Sequence, residues 1–317
     1  MLKPVSVKEN ISLAGFSVFR IGGPARYFAE AATKEEVLRL LAWASEASLP
    51  VFVLGAGSNV LISDSGFSGL VLKMDLFHCV VEGERIIADA GVSMPQLVNS
   101  ALRNGLRGME WAIGIPGTVG GSVRGNAGCF GGEMKDLVQE IVAIDTTTGA
   151  ERTLNNAQCC FGYRHSYFKE RPSLLILRAV FGLSRGESEE GYALVRAHSQ
   201  RRIAEQDVGQ RCAGCMFKNV PWSRRDIDKQ KLLAHIPALR AFSGNAHIPA
   251  AFLIDALGLK GFRIGNVAVS QKHANYIINL GKGSAEQAIM LLGVVKERVH
   301  RTYQILLEEE VQLVGFD

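Results

Sequence analysis

The stretch GIPGTVGGSVRGNAG, residues 114–128, decides how this chain is read: with its flanks, residues 108–132, it holds nine glycines in 25 positions. Glycine lets consecutive main-chain N–H groups converge with no side chain between them. So much bare backbone asks either for a set of tight turns or for a ligand rich in acceptors. A second turn, GAGSN at residues 55–59, directly follows the apolar run PVFVL at 50–54, which reads as a buried strand. One glycine turn alone is weak evidence; two of them suit a dinucleotide whose pyrophosphate lies between two loops. The candidate donors are Gly55, Ala56, Gly57, Ser58 and Asn59 in the first loop, and Gly117, Thr118, Gly120, Gly121 and Ser122 in the second.

Two common phosphate sites do not fit. The fingerprint G-x-G-x-x-G needs a third glycine where Val60 stands, and residues 61–64 continue as a short strand or turn rather than a helix. A nucleotide-triphosphate loop fails because Tyr276 occupies the first glycine position ahead of Gly281-Lys282-Gly283.

Around these loops, helices and strands mix without the strict alternation of a doubly wound sheet, which predicts an α+β protein. Thr33 with Glu36 forms a capping box for a helix from Lys34 to about Ser48, with Val37, Leu40, Leu41 and Ala44 on one face. Ser93, Pro95 and Gln96 open a second helix that Asn104-Gly105 closes. GLVLKM, VQEIVAID and SLLILRAVFGL read as strands. From about Ser184 to Gln206 the composition turns charged, predicting a surface helix that crosses to another domain near residue 200. Farther on, residues 248–257 read as a helix ending at Gly258, and NYIINL as a strand. Ser284 with Gln287 caps a last helix whose buried face is Ala288, Leu291, Leu292, Val295 and Val299.

At 317 residues the chain exceeds the roughly 250–300 at which one core stops growing. A composition of 47% hydrophobic residues supports a large core. The excess of 35 basic over 31 acidic side chains, +4, is too small and dispersed to argue for nucleic acid or a membrane surface, though it suits an anionic small molecule. No apolar run is long enough for a signal peptide or a membrane span, which predicts a soluble, cytoplasmic protein without membrane insertion. The six cysteines read as reduced thiols.

Several stretches, in order along the chain, resemble one family. GAGSNVLISD (55–64), GMEWAIGIPGTVGGSVRGNAG (108–128), FGYRHSYFK (161–169), AGCMFKN (213–219), KHANYIIN (272–279) and LEEEVQLVG (307–315) are similar to the UDP-N-acetylenolpyruvoylglucosamine reductases of peptidoglycan synthesis. The resemblance implies a fold of the vanillyl-alcohol-oxidase type. Two FAD-binding subdomains, expected at 1–73 and 74–200, would be followed by a C-terminal α+β substrate-binding domain at 201–317. It also implies FAD and NADPH as cofactors and a nucleotide-sugar substrate. The oligomeric state is not read from the sequence, a monomer being the default expectation. Only 51 positions separate Arg164 from Cys215, which resembles the shorter type II subclass.

By the same resemblance Arg164, Cys215 and Glu310 are catalytic, while Lys218 and Asn219 contact the nucleotide-sugar. A guanidinium fork suits a carboxylate that gains charge in the transition state; a structural ion pair is the competing reading. Cys215 stands where most relatives carry serine, and a thiol is the better acid. Glu310 lies in a run of three glutamates that could simply be solvated. The apolar Val311, Leu313 and Val314 argue that it is held inward while Glu308 and Glu309 face water. Near a substrate carboxylate its acidity would fall, so that it donates a hydrogen bond. His165 replaces the acidic residue usual after the arginine and receives no role.

Other readings stay open. Cys212 and Cys215 form C-x-x-C, which admits a redox or zinc site, although no second ligand pair accompanies it except Cys159-Cys160. A silent nucleotide-sugar binder would not need the Arg164, Cys215 and Glu310 set. A flavin oxidase would use oxygen in place of NADPH, and AGCMFKN with LEEEVQLVG disfavours it. Arg201, Arg202, Arg211 and Arg224 could lend positive potential to a diphosphate, but none is singled out.

Overall fold

The computed structural model describes residues 3–316; Met1, Leu2 and Asp317, the outermost residues of the first and last expected domains, lie outside them. The chain divides into two compact units. The first takes residues 1–11, 24–57 and 67–204, and the second 12–23, 58–66 and 205–317.

The first unit holds two sheets. One runs in the order Lys8–Ser12, Pro24–Ala31, Phe67–Met74, Val51–Leu54, with the last two pairings parallel. The helix Lys34–Glu46 covers it. Thr33 accepts from the N–H of Glu36, as expected, whereas the Glu36 carboxylate reaches past the cap residue to accept from the N–H of Ala32, so only the Thr33 half of the expected capping box forms. Val37, Leu40, Leu41 and Ala44 are buried in its core with Trp43.

The second sheet is antiparallel, in the order Glu151–Asn155, Val138–Asp145, Leu174–Gly182, Arg85–Asp89, Cys79–Glu82. Against it lies Met94–Arg103, capped by Ser93 and closed where Gly105 takes φ +66°. Ile144, Leu175 and Leu177 of this sheet belong to the core of the first sheet, so the two layers share apolar residues inside one unit. The charged segment forms the helix Ser188–Glu205, of which only Gly191 is buried; Leu102 occupies the space a Cβ there would need.

The second unit is built around Ala285–Tyr303, whose expected face is fully buried. Its N-terminus is capped twice. Ser284 accepts from Gln287, while the carboxylate of Asp64 accepts from Ala285 at 2.9 Å and Glu286 at 3.1 Å. A three-stranded sheet, Arg263–Ile264, Val267–Val269, Ile277–Asn279, packs beside it. Asn279 ties the unit together: its Nδ2 donates to the carbonyl of Phe19 and its Oδ1 accepts from Gly281 and Gly283.

The helix expected over 248–257 is shorter, Ala250–Asp255, because Pro249 holds the extended cap position and Ile248 pairs with Val220 as a strand. Val60–Ile62 is a strand, as expected. Its partner, in parallel, is Gln312–Val314 at the far end of the chain.

Candidate active site

The glycine-rich stretch performs three jobs. Its beginning packs. A Cβ on Gly120 would fall 2.9 Å from that of Ala90, and the Gly120 N–H donates to the Ala90 carbonyl at 3.0 Å. Gly117 likewise donates to Ile115. Gly120 therefore serves close approach of backbone to backbone, and the Gly117 N–H closes a tight turn within its own loop.

Its middle meets the GAGSN turn. A Cβ on Gly55 would lie 2.6 Å from Thr118 Oγ1, and Gly57 takes φ +65°. Two loops converge at a spot where only hydrogen fits, with Thr118 as hydroxyl donor, and this cradle fits a diphosphate. Ser122 is buried within the short helix Val119–Arg124.

Its end frames Arg164. Asn126, itself at φ +42°, donates from Nδ2 to Glu133 and to the carbonyl of Gly162, and accepts from Lys135 on Oδ1. Gly162 and His165 exchange two main-chain hydrogen bonds, making Tyr163-Arg164 the tip of a tight turn. Arg164 takes φ +53°, a conformation that costs a non-glycine residue about 1 kcal/mol. Lys169 Nζ donates to its carbonyl at 2.7 Å, and its own Nη1 donates to the Gly128 carbonyl at 3.1 Å. Strain at a side chain presented by a turn fits a functional residue. His165 pairs with Glu170 at 2.9 Å, on the outside of this turn.

Nearby, Phe130 stacks on His198 at 4.7 Å, with the guanidinium carbons of Arg201 and Arg202 at 5.2 and 5.5 Å from its ring centroid. Burial pushes the Cys129 thiol up, partly countered by Arg202 and Arg164. Arg202 also packs on Gly114, where a Cβ would meet its Nε at 2.2 Å. Sequence reasoning named Arg201 and Arg202 only as general positive potential and passed over Phe130 and His198, since a lone Phe130 in a glycine-rich loop carries no signal of its own.

In the second unit the other two candidates stand on adjoining segments. Gly214 turns the chain at φ +73° into Cys215, which bridges Tyr276. Met216 and Phe217 are core residues. The Met216 carbonyl accepts from the N–H of Glu310 at 2.8 Å, and Phe217 bridges Glu309. Cys215 and Glu310 are thus neighbours through one shared residue.

The neighbouring glutamates are anchored. Glu309 pairs with Lys296 at 2.6 Å and Glu308 with Lys218 at 3.3 Å, so Glu309 is not merely solvated. Val311 and Val314 are buried, while Leu313 is exposed. Asn59 binds this segment from the other side: its Nδ2 donates to the Glu310 carbonyl at 3.1 Å and its carbonyl accepts from Gln312 at 3.0 Å. Asn219 Oδ1 accepts from Ala250, at the first turn of the helix Ala250–Asp255.

Cys212 is buried, its thiol pushed up by that burial. Among the described residues no group of three or more His, Cys, Asp or Glu side chains could hold a metal ion. An open groove of about 620 Å³ beside Glu82, Arg85, Lys135 and Asn156 contains none of the expected site residues.

Comparison with known proteins agrees with this arrangement. The family profile of the UDP-N-acetylenolpyruvoylglucosamine reductase C-terminal domain matches residues 206–314, and that of an FAD binding domain matches residues 25–155. The reductase of Caldanaerobacter subterraneus is 34% identical over 316 residues, covering 99% of this chain and 96% of its own. This chain belongs to the UDP-N-acetylenolpyruvoylglucosamine reductase family. A reductase of Symbiobacterium thermophilum is 36% identical over 314 residues, 98% of this chain and 93% of its own. The crystal structure of the Thermus caldophilus enzyme of this family superposes with a TM-score of 0.77 at 30% identity, covering 97% of this chain and 98% of that one. The α+β, FAD-binding architecture expected from the sequence is therefore that of the family.

Proposed function

We propose that this chain reduces UDP-N-acetylglucosamine enolpyruvate to UDP-N-acetylmuramate with electrons from NADPH passed through FAD, a step in peptidoglycan precursor synthesis. The observation that carries the reading is the main-chain junction at Met216, which sets the Cys215 and Glu310 segments side by side in the second unit.

When bound, FAD supplies the hydride that the terminal enol carbon receives. The chain's own residues must steady the substrate carboxylate as it gains charge and deliver a proton to the adjacent carbon. Arg164 does the first: its strained turn presents a guanidinium whose fork matches a carboxylate. Cys215 does the second through its thiol proton, the bond S–H breaking as C–H forms. Glu310, protonated beside the substrate carboxylate, donates a hydrogen bond to it.

The cradle of Gly55, Gly57 and Thr118 takes the FAD diphosphate, with Ala56, Ser58, Asn59, Gly117, Gly120, Gly121 and Ser122 around it. Lys218 and Asn219 lie in the motif that takes the nucleotide-sugar; their contacts to Glu308 and Ala250 would first hold that segment in shape. We take the enzyme to work as a monomer in the cytoplasm, with two FAD-binding subdomains ahead of a substrate-binding domain. No helix among the described residues is long and apolar enough to cross a membrane.

Incubation of the FAD-loaded chain with NADPH and the enolpyruvyl nucleotide-sugar, followed by mass spectrometry, tests this. The expected product is heavier by two hydrogens and appears mole for mole with NADPH oxidised. NADPH oxidation that needs oxygen and ignores the nucleotide-sugar would point to an oxidase of the same fold.

A further inference from the structure

The KHANYIIN segment is assigned no catalytic residue, yet it hydrogen-bonds the Cys215 segment through both main chain and side chain. Asn275 is 2% exposed. Its Oδ1 accepts from the N–H of Phe217 at 3.0 Å and its Nδ2 donates to the carbonyl of the same residue at 2.8 Å. Its main-chain carbonyl accepts from the N–H of Met216 at 2.9 Å, and the next residue, Tyr276, bridges Cys215. A carboxamide has one acceptor and one donor face, so here it stands in for the peptide group of a neighbouring strand.

On the other side of Cys215, Gly214 turns the chain at φ +73° with nothing within 4 Å of where its Cβ would be. On the Asn275 side Met216 and Phe217 are each 1% exposed, so the segment that leaves Cys215 is locked in the core. We propose that Asn275 is a positioning residue for Cys215, holding the proton donor in register by closing both peptide groups of Phe217. The inference rests on the reading of Cys215 as the proton donor.

Replacement of Asn275 by aspartate gives a sharp test, because a neutral carboxyl reproduces both hydrogen bonds whereas a carboxylate turns the donor into an acceptor facing the Phe217 carbonyl. Burial raises the pKa of such a carboxyl, so the neutral form persists above the ordinary carboxylate range and gives way to the carboxylate as pH rises further. The titratable and charged groups on the segments that hold it are Cys215, Lys218, Lys272, His273, Tyr276, Glu308, Glu309 and Glu310. All are present in the unsubstituted enzyme, and the ratio of variant to parent removes their own titration.

The experiment follows both half-reactions of the FAD-loaded chain by stopped flow: bleaching of the flavin by NADPH, and reoxidation by the enolpyruvyl nucleotide-sugar. At about pH 6 Asn275→Asp is expected to reoxidise within a few-fold of the parent, and by about pH 8.5 to fall at least tenfold below it, the effect of one misdirected buried hydrogen bond. Bleaching by NADPH and flavin content should match the parent at both pH values. Adding the substitution to Cys215→Ala should cost nothing further. Equal losses in both half-reactions, or a ratio that does not change with pH, would overturn the proposal. If Cys215→Ala itself reoxidises at the parent rate, the proton-donor reading falls; if it is slow while Asn275→Asp is not, only the positioning role falls. Should the variant fail to retain FAD, hydrogen exchange of the Phe217 amide in the apo-chain decides. Protection equal to the parent's at high pH would also overturn it.

Discussion

The side-chain amide of Asn59 donates to the main-chain carbonyl of Glu310 at 3.1 Å, joining positions 251 residues apart. The GAGSN turn therefore ends in a contact to the segment that carries the proposed acid. Asn59→Ala removes that bond but leaves the main-chain pairing of Asn59 with Gln312. In urea unfolding of the apo-chain, where no cofactor contributes, we expect a loss of about 0.5–1 kcal/mol. Asn59→Asp should lose more, because it sets a carboxylate against the Glu310 carbonyl. No loss in either variant would mean that the contact is dispensable to the fold.

Arg164 separates chemistry from backbone strain. Arg164→Lys keeps the charge but not the fork, and should slow flavin reoxidation about a hundredfold while leaving bleaching by NADPH unchanged. Arg164→Gly and Arg164→Ala both remove the side chain. At φ +53° the alanine variant should be less stable than the glycine variant by about 1 kcal/mol. Equal stabilities would show that the turn relaxes.

Gly120 tests the packing task of the glycine-rich loop. Gly120→Ala drives a Cβ to within 2.9 Å of Ala90 Cβ, an overpacking that should cost about 1–3 kcal/mol in the apo-chain. Adding Ala90→Gly removes the opposing methyl and should restore most of that loss. A purely additive pair would show that the two positions are uncoupled.

His273 gives a pH dependence of known sign. Burial lowers its pKa below the ordinary 6.5, partly countered by Asp207 and Glu205 and reinforced by Lys260. In this window the unfolded chain binds the proton more readily than the folded one. Its contribution is complete above 6.5 and is lost as pH falls through the lower folded value. Urea midpoints should therefore decline as pH falls from 6.5 toward that value, and His273→Gln should flatten the decline. An unchanged slope would place the acid sensitivity elsewhere.

Much of this was legible locally. The cap at Thr33, the cap at Ser93 and the buried stripe of Ala285–Tyr303 all formed where their residue patterns placed them, because these signals act over one or two helical turns. The glycine count pointed to tight turns or to a ligand rich in acceptors, and the motifs pointed to the family. The tasks inside each motif were not legible. Nothing near Asp64 indicates that it caps a helix beginning at Ala285. Nor does Val60–Ile62, three apolar residues, reveal that its partner is Gln312–Val314. Pairing over such distances in sequence leaves no periodicity to read, which is why residues 12–23 and 58–66 join the C-terminal unit unannounced. Asn126 and Asn275 escaped notice for the same reason: each works by bonding main-chain groups far from it in sequence, and neither carries charge.

The central claim is that the Cys215 thiol supplies the proton. Single-turnover reoxidation of the NADPH-reduced flavin by the enolpyruvyl nucleotide-sugar, compared between the parent chain and Cys215→Ala, tests it most directly. The account predicts equal bleaching by NADPH in both, with fast reoxidation only where the thiol is present and partial recovery in Cys215→Ser. Reoxidation of Cys215→Ala at the parent rate would contradict it and assign the proton to another group.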